Sequence, residues 1–189
     1  GAERVAQGAA LEVEDGCFPN LEAALRQLQR AMREGGEENI EDAVLDAGII
    51  SAQFTGLPSV CQSTARAFIA ELEAVVLGPY SSNLRRQAFG MLGWVAMSGV
   101  VTLKDVQRIF SVCERAVAHG EASVASVLLT LDAVGQSAVA DVATLEAILD
   151  LAGRLVQMAE GEGSYRFLYD AMALFSRLVS RLTGDDRAL

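Results

Sequence analysis

The chain has 189 residues and a mass of 20.0 kDa, the size of one domain, and with 51% hydrophobic and 21% charged residues it can bury a core. Only 6% of it is aromatic and three residues are proline, which suits packed helices and excludes most sandwich or barrel designs. A formal charge of −10 repels phosphate backbones and anionic lipid, so nucleic acid is not an expected partner.

In chain order, the N-terminus Gly1-Ala2-Glu3-Arg4 has no initiator Met and no apolar signal core, and reads as a processed or excised end. Residues 1–18 are expected to form an extra helix or a frayed cap. Helix-start signals follow at Phe18-Pro19-Asn20-Leu21, Leu57-Pro58-Ser59-Val60, Val101-Thr102-Leu103 and Ala143-Thr144-Leu145, each with an Asn, Ser or Thr before an apolar residue. Asp105 lies three residues after Thr102, the spacing of a capping box. Stop glycines come at Gly35-Gly36, Gly78, Gly120 and Gly161, and second starts at Asn39, Ser81-Ser82, Ser123 and Ser164. Two uncharged runs, Ala47–Ala65 and Gln87–Leu103, approach membrane-spanning length but are broken by Gly, Ser and Gln, and read as helices buried in protein.

The first starts are 39, 43 and 42 residues apart. Sliding the second helices by that interval aligns Ala47, Phe89, Leu131 and Met172; then Ile50, Leu92, Val134 and Phe175; then Phe54, Ala96, Ala138 and Val179. The three columns are apolar and make one helix face. Beside them Ser51, Gly93, Gly135 and Ser176 form a small-residue column that lets another helix approach. The first helices share Leu21, Val60, Leu103 and Leu145. The expected domain therefore spans 19–183 as four helix pairs (19–56, 57–100, 101–142, 143–183), with 184–189 a polar tail. A helix pair cannot bury its own apolar stripe, so neighbouring pairs must complete the core.

This period, with two helices per unit and a Gly or Ser turn between them, resembles the armadillo and HEAT-type α-solenoids. The resemblance implies an all-α, armadillo-like right-handed stack whose second helices line a concave surface. The chain departs from those families in lacking proline inside the first helices, the repeated Asp and Arg of HEAT units, and the short third helix of armadillo units. The alternative architecture is a compact multi-helix bundle.

Catalytic constellations are not evident. His119 is the only histidine and stands directly before Gly120, where it faces the negative end of its helix. Cys17, Cys61 and Cys113 are scattered, and Cys113 shares an apolar stripe with Ile109, Phe110 and Val117, as a core thiol does. The unpaired thiols suggest a reducing, intracellular and cytoplasmic setting. Gly161-Glu162-Gly163 lacks the lysine of a phosphate loop, and the acids at Glu37-Glu38 and Glu41-Asp42 suit a helix start better than a metal. No catalytic residue, metal or cofactor is expected.

What remains is a binding surface. Residues 1–50 hold eleven acids and four arginines, while arginines and aromatics collect on the second helices of the second and fourth pairs. The candidate partner-binding residues are Asn83, Arg85, Arg86, Gln87 and Trp94 in the second pair, and Arg166, Tyr169 and Arg177 in the fourth. Trp94, flanked by Gly90 and Gly93, is a candidate hot spot. The expected function is a non-enzymatic protein-interaction or scaffolding module taking an extended peptide or helix of acidic or mixed charge. The alternative is a helical regulatory or targeting domain that binds a small ligand as a closed bundle.

Overall fold

The computed structural model describes residues 19–50, 62–120, 123–160 and 165–184. Among these residues the chain is all helical, with eight helices and no strand. They are α1 (Pro19–Glu34), α2 (Glu37–Ile49), α3 (Gln62–Val76), α4 (Ser82–Ala96), α5 (Leu103–Ala118), α6 (Val124–Gln136), α7 (Val142–Glu160) and α8 (Tyr165–Thr183). None of the described helices is long and apolar enough to cross a membrane.

Local chemistry explains most of the boundaries. Ser81 caps α4, its hydroxyl accepting from the Leu84 N–H. Thr102 and Asp105 form a reciprocal capping box at the start of α5. Gly35, Gly36 and Gly120 take positive φ, a conformation that costs glycine nothing and lets α1 and α5 end abruptly. Two expected starts differ, and two lie outside the described residues. The second helix begins at Glu37 behind Gly36, two residues before Asn39. The seventh begins at Val142, because the Asp141 carboxylate accepts from both the N–H and the hydroxyl of Thr144 and takes the cap from it. The starts at Leu57-Pro58-Ser59-Val60 and at Ser164, and the stop at Gly161, lie outside the described residues, as do Ser51 and Phe54.

Each helix packs only against helices one or two positions away in the chain. The odd-numbered helices touch in series (α1 with α3, α3 with α5, α5 with α7), and so do the even ones (α2 with α4, α4 with α6, α6 with α8). Helices α1 and α2 make no contact with α7 and α8. Polar ties between neighbours repeat the interval. Glu73 of α3 receives Arg108 and Arg115 of α5, 35 and 42 residues on, and Arg66 of α3 pairs with Asp105, 39 residues on. In the even series the Thr130 hydroxyl donates to the Phe89 carbonyl 41 residues before it.

The core lies between the two series. Leu21, Leu28, Phe68, Leu72, Phe89, Leu92, Ile109, Val112, Leu131 and Leu151 are essentially inaccessible, as is Cys113. The Cys113 thiol is buried and therefore pushed up to about 12, so it is a packing group and not a nucleophile. The apolar columns hold for Ala47, Phe89, Leu131, Leu92, Val134 and Ala96, all buried. They fail in the last pair. Met172 and Val179 are 69% and 48% exposed, and Phe175 is half-buried, while Ala171, Leu174 and Leu178 carry the core. Ala138 lies beyond the end of α6 and is exposed. A shift of one residue turns a helical position by about 100°, enough to move it from the core to the flank.

Candidate functional site

Four of the expected binding residues are committed to internal contacts. The guanidinium of Arg85 donates through Nε and Nη2 to the Tyr80 carbonyl at 2.9 and 2.6 Å, bracing the turn that enters α4. Asn83 and Gln87 donate to the Glu41 carboxylate of α2 at 3.0 and 3.3 Å. Arg177 of α8 pairs with Asp132 of α6. The Ser81 N–H donates to Glu37 at 2.6 Å, and hydrogen bonding from Ser81, through its side chain first and this N–H second, holds the Glu37 carboxyl below the usual carboxylate range. The acidic start of α2 is thus stitched to the start of α4 through polar groups.

Of the other expected residues, Arg86, Tyr169 and Trp94 are exposed. Arg86 is exposed and reaches back to the Asn83 side-chain oxygen at 2.6 Å. Tyr169 is 83% exposed. Arg166 lies on α8, with a side chain outside the described set. Trp94 is 39% exposed and forms one wall of a cleft of about 150 Å³ between α4 and α6. Phe89, Gly90, Gly93 and Met97 line it from the α4 side, and Leu129, Thr130 and Ala133 from α6.

The cleft exists because α4 is built from small residues where it meets α6. A Cβ added to Gly93 would stand 3.2 Å from the Ala133 Cβ, so glycine lets the two backbones approach. A Cβ on Gly90 would meet nothing within 4 Å, so this glycine leaves open space beside the indole. Thr130 closes the floor with its hydroxyl already satisfied by the Phe89 and Ser126 carbonyls. The remaining lining is apolar, and Leu129 is left 62% exposed at the rim. Comparison with family models, with curated proteins and with solved structures found no match.

The other even helices carry exposed apolar residues too. Leu45 and Ile49 on α2 are 47% and 80% exposed, and Gly48 between them is 3.9 Å (as an added Cβ) from the Met91 sulfur of α4. Tyr169 lies nine residues before the core residue Leu178, two and a half helical turns, and so on the opposite side of α8. Each even helix therefore carries an exposed apolar or aromatic group, Ile49, Trp94, Leu129 and Tyr169, and the structure brings Trp94 and Leu129 together. Leu129 and Ile49 escape sequence reading because α6 and the end of α2 are apolar nearly all round. Only the glycines beside Trp94 signalled an opening.

Charge is distributed unevenly along this row. Helix α2 carries five acids and no base, and Glu38, Asp42 and Asp46 are exposed. At the other end a second cleft of about 230 Å³, between α6 and α8, is lined by Asp132, Gly135, Gln136, Leu174, Arg177, Leu178 and Arg181. Its arginines are occupied: Arg177 by Asp132, and Arg181 by the Gly135 and Ser137 carbonyls at the end of α6. Among the described residues no three His, Cys, Asp or Glu side chains converge as metal ligands do. His119 caps the end of α5, is exposed, and lines neither of these clefts.

Proposed function

We propose that the chain is an armadillo-like stack of four helix pairs that serves as a non-enzymatic protein-interaction module. The partner is a peptide segment that anchors a bulky apolar side chain in the Trp94–Leu129 cleft and runs across the open side of the even-numbered helices. The observation that carries this reading is the cleft itself. A half-exposed indole, an exposed leucine and an unfilled glycine lie together on a helix series whose open side no other helix covers among the described residues.

Three further observations support it. Contacts between helices only one or two positions apart suit an open stack, whereas a closed bundle would bring α1 or α2 against α7 or α8. The Trp94–Leu129 cleft, at about 150 Å³, falls below the ~300–1,000 Å³ of small-molecule pockets, which favours a side-chain anchor at that place over a free ligand. The arginines Arg85, Arg177 and Arg181 are turned to internal acceptors, so apolar contact supplies the grip. The acids of α2 favour a basic residue at the end of the peptide that lies over them.

The test is selection from a random twelve-residue peptide display library on the immobilised protein, read by the fluorescence of Trp94, the single tryptophan. Enriched peptides should share a large apolar residue, shift Trp94 emission on binding, and lose binding to the Leu129→Glu variant. A library with no enriched motif, or enriched peptides that bind the Leu129→Glu protein unchanged, would overturn the reading.

A further inference from the structure

The Trp94–Leu129 cleft has a counterpart one helix pair further along. Gly93 and Gly135 are 42 residues apart, and each lets its helix approach the next even one. An added Cβ would stand 3.2 Å from the Ala133 Cβ at Gly93 and 2.9 Å from the Leu178 Cδ2 at Gly135. The α4–α6 cleft opens beside the first contact, and the α6–α8 cleft of about 230 Å³ beside the second. Leu129 lines the first cleft and Asp132 and Gln136 line the second, all three on one stripe of α6 at intervals of three and four residues. Leu129 and Gln136 are both exposed. The two clefts therefore flank a single ridge and open on the same side of the molecule.

Their chemistry differs. The first is apolar apart from the satisfied Thr130 hydroxyl. The second has an apolar floor, Leu174 and Leu178, with two guanidinium groups beside it. Asp132 is the only acid in its lining, and it neutralises Arg177. Arg181 has no such counter-charge. Its Nη1 donates to the Gly135 and Ser137 carbonyls, which are uncharged, and among the described residues its Nε and Nη2 groups donate to nothing. A guanidinium carries five N–H donors in a fixed fork, so donors and a net positive charge remain at the mouth of this cleft. A carboxylate on a short aliphatic stem suits both parts, its methylenes over the leucines and its oxygens on Arg181.

We infer, on the footing of the peptide reading above, that the α6–α8 cleft is a second anchor site for the same peptide, and that it takes an acidic side chain three residues from the apolar anchor. The spacing follows from the fold. Packed helices lie ~8–10 Å apart, so clefts on either side of α6 are separated by about that distance. A polyproline II segment rises ~3.1 Å per residue with three residues per turn, which returns a side chain to the same face after ~9.3 Å. In a β-strand, residues three apart point to opposite faces and could not fill both clefts. The peptide therefore docks in the polyproline II conformation, a form already extended before binding.

The twelve-residue display selection distinguishes the two readings. Peptides enriched on the parent protein should carry an acidic residue three positions from the shared apolar one. Selection on Arg181→Gln should keep the apolar residue and lose the acid. Replacing the acid of an enriched peptide by its amide should weaken binding to the parent about fivefold, the usual contribution of an exposed ion pair, and less as salt is raised. That comparison needs no altered protein, so it decides the matter even where Arg181→Gln loses its helical spectrum. An apolar residue enriched without the acid, an acid at no fixed spacing, or an acid retained on folded Arg181→Gln protein would overturn the second anchor and leave the Trp94–Leu129 cleft standing. Enriched peptides with no shared apolar residue would overturn both.

Discussion

Arg177 and Asp132 form a two-pronged ion pair across the α6–α8 interface, Nε to Oδ1 at 2.8 Å and Nη2 to Oδ2 at 2.5 Å. Their side chains are 37% and 19% exposed, so the pair is partly shielded. Sequence reasoning placed Arg177 among the partner-binding residues, but here it is a strut between two helices 45 residues apart. Paired guanidinium and carboxylate groups in this geometry hold orientation as well as contributing energy. With solvent screening taken into account, Arg177→Ala should lower unfolding stability by about 1 kcal/mol. Urea denaturation should show that loss, and the swapped pair Arg177→Asp/Asp132→Arg should recover part of it. A loss of peptide binding with unchanged stability would restore the original assignment.

Arg85 and Arg86 are adjacent in sequence and differ in role. Arg85 braces the Tyr80 carbonyl through two hydrogen bonds, while Arg86 is exposed. Arg85→Ala should cost about 1–2 kcal/mol, the value of charge-assisted hydrogen bonds to a carbonyl. Arg86→Ala should stay within about 0.5 kcal/mol of the parent, as exposed substitutions do. Paired thermal melts would reveal the difference, and equal effects would show that the bracing contact does not contribute.

The start of α5 makes a pH prediction. Burial works to raise the Asp105 carboxyl, but the Thr102 N–H and hydroxyl and the Arg66 guanidinium hold it below the ordinary carboxylate value. A carboxyl with a depressed folded pKa binds its proton more weakly folded than unfolded. Its contribution is complete above the unfolded value of about 3.9 and fades as pH falls through the folded one. Acid titration of the parent should therefore lose stability below about pH 4 more steeply than Asp105→Asn does. At neutral pH, Thr102→Ala should cost about 1 kcal/mol through the lost cap. Parallel acid curves for parent and Asp105→Asn would contradict the assignment.

Two glycines should respond in opposite directions to alanine. A Cβ on Gly78 would stand 2.6 Å from the Ala74 carbonyl oxygen and 2.5 Å from the Tyr80 ring, and backbone cannot give way cheaply. Gly78→Ala should destabilise the protein by about 1–3 kcal/mol. Gly90 sits inside α4 with open space around its Cβ direction. Gly90→Ala should stabilise by up to about 1 kcal/mol from helix propensity. If the cleft takes an apolar anchor, Gly90→Leu should keep the fold and block peptide binding. Calorimetry on the alanine variants and peptide titration on the leucine variant decide these points.

Much of this protein was written locally in its sequence. The all-helical class, the Ser81 and Thr102 caps, the Gly35-Gly36 and Gly120 stops and the buried Phe89, Leu92, Leu131 and Val134 followed from interactions within a few residues along the chain. Such signals are legible because caps and helical periodicity depend on nearest turns alone. Trp94 beside two glycines was visible for the same reason. What the sequence could not decide was which neighbour each helix flank meets. One residue rotates a helix position by about 100°, so columns that placed Phe89, Leu92, Leu131 and Val134 correctly put Met172 and Val179 in a core that Ala171 and Leu178 occupy. Arg177 looked like a surface arginine until Asp132, 45 residues earlier in the chain, came to rest against it. Leu129 carried no signal of its own on the nearly all-apolar α6, yet it is 62% exposed. Exposure and pairing depend on segments 35 to 46 residues away, and only the packed arrangement of the helices sets which of those segments comes to rest against a given side chain.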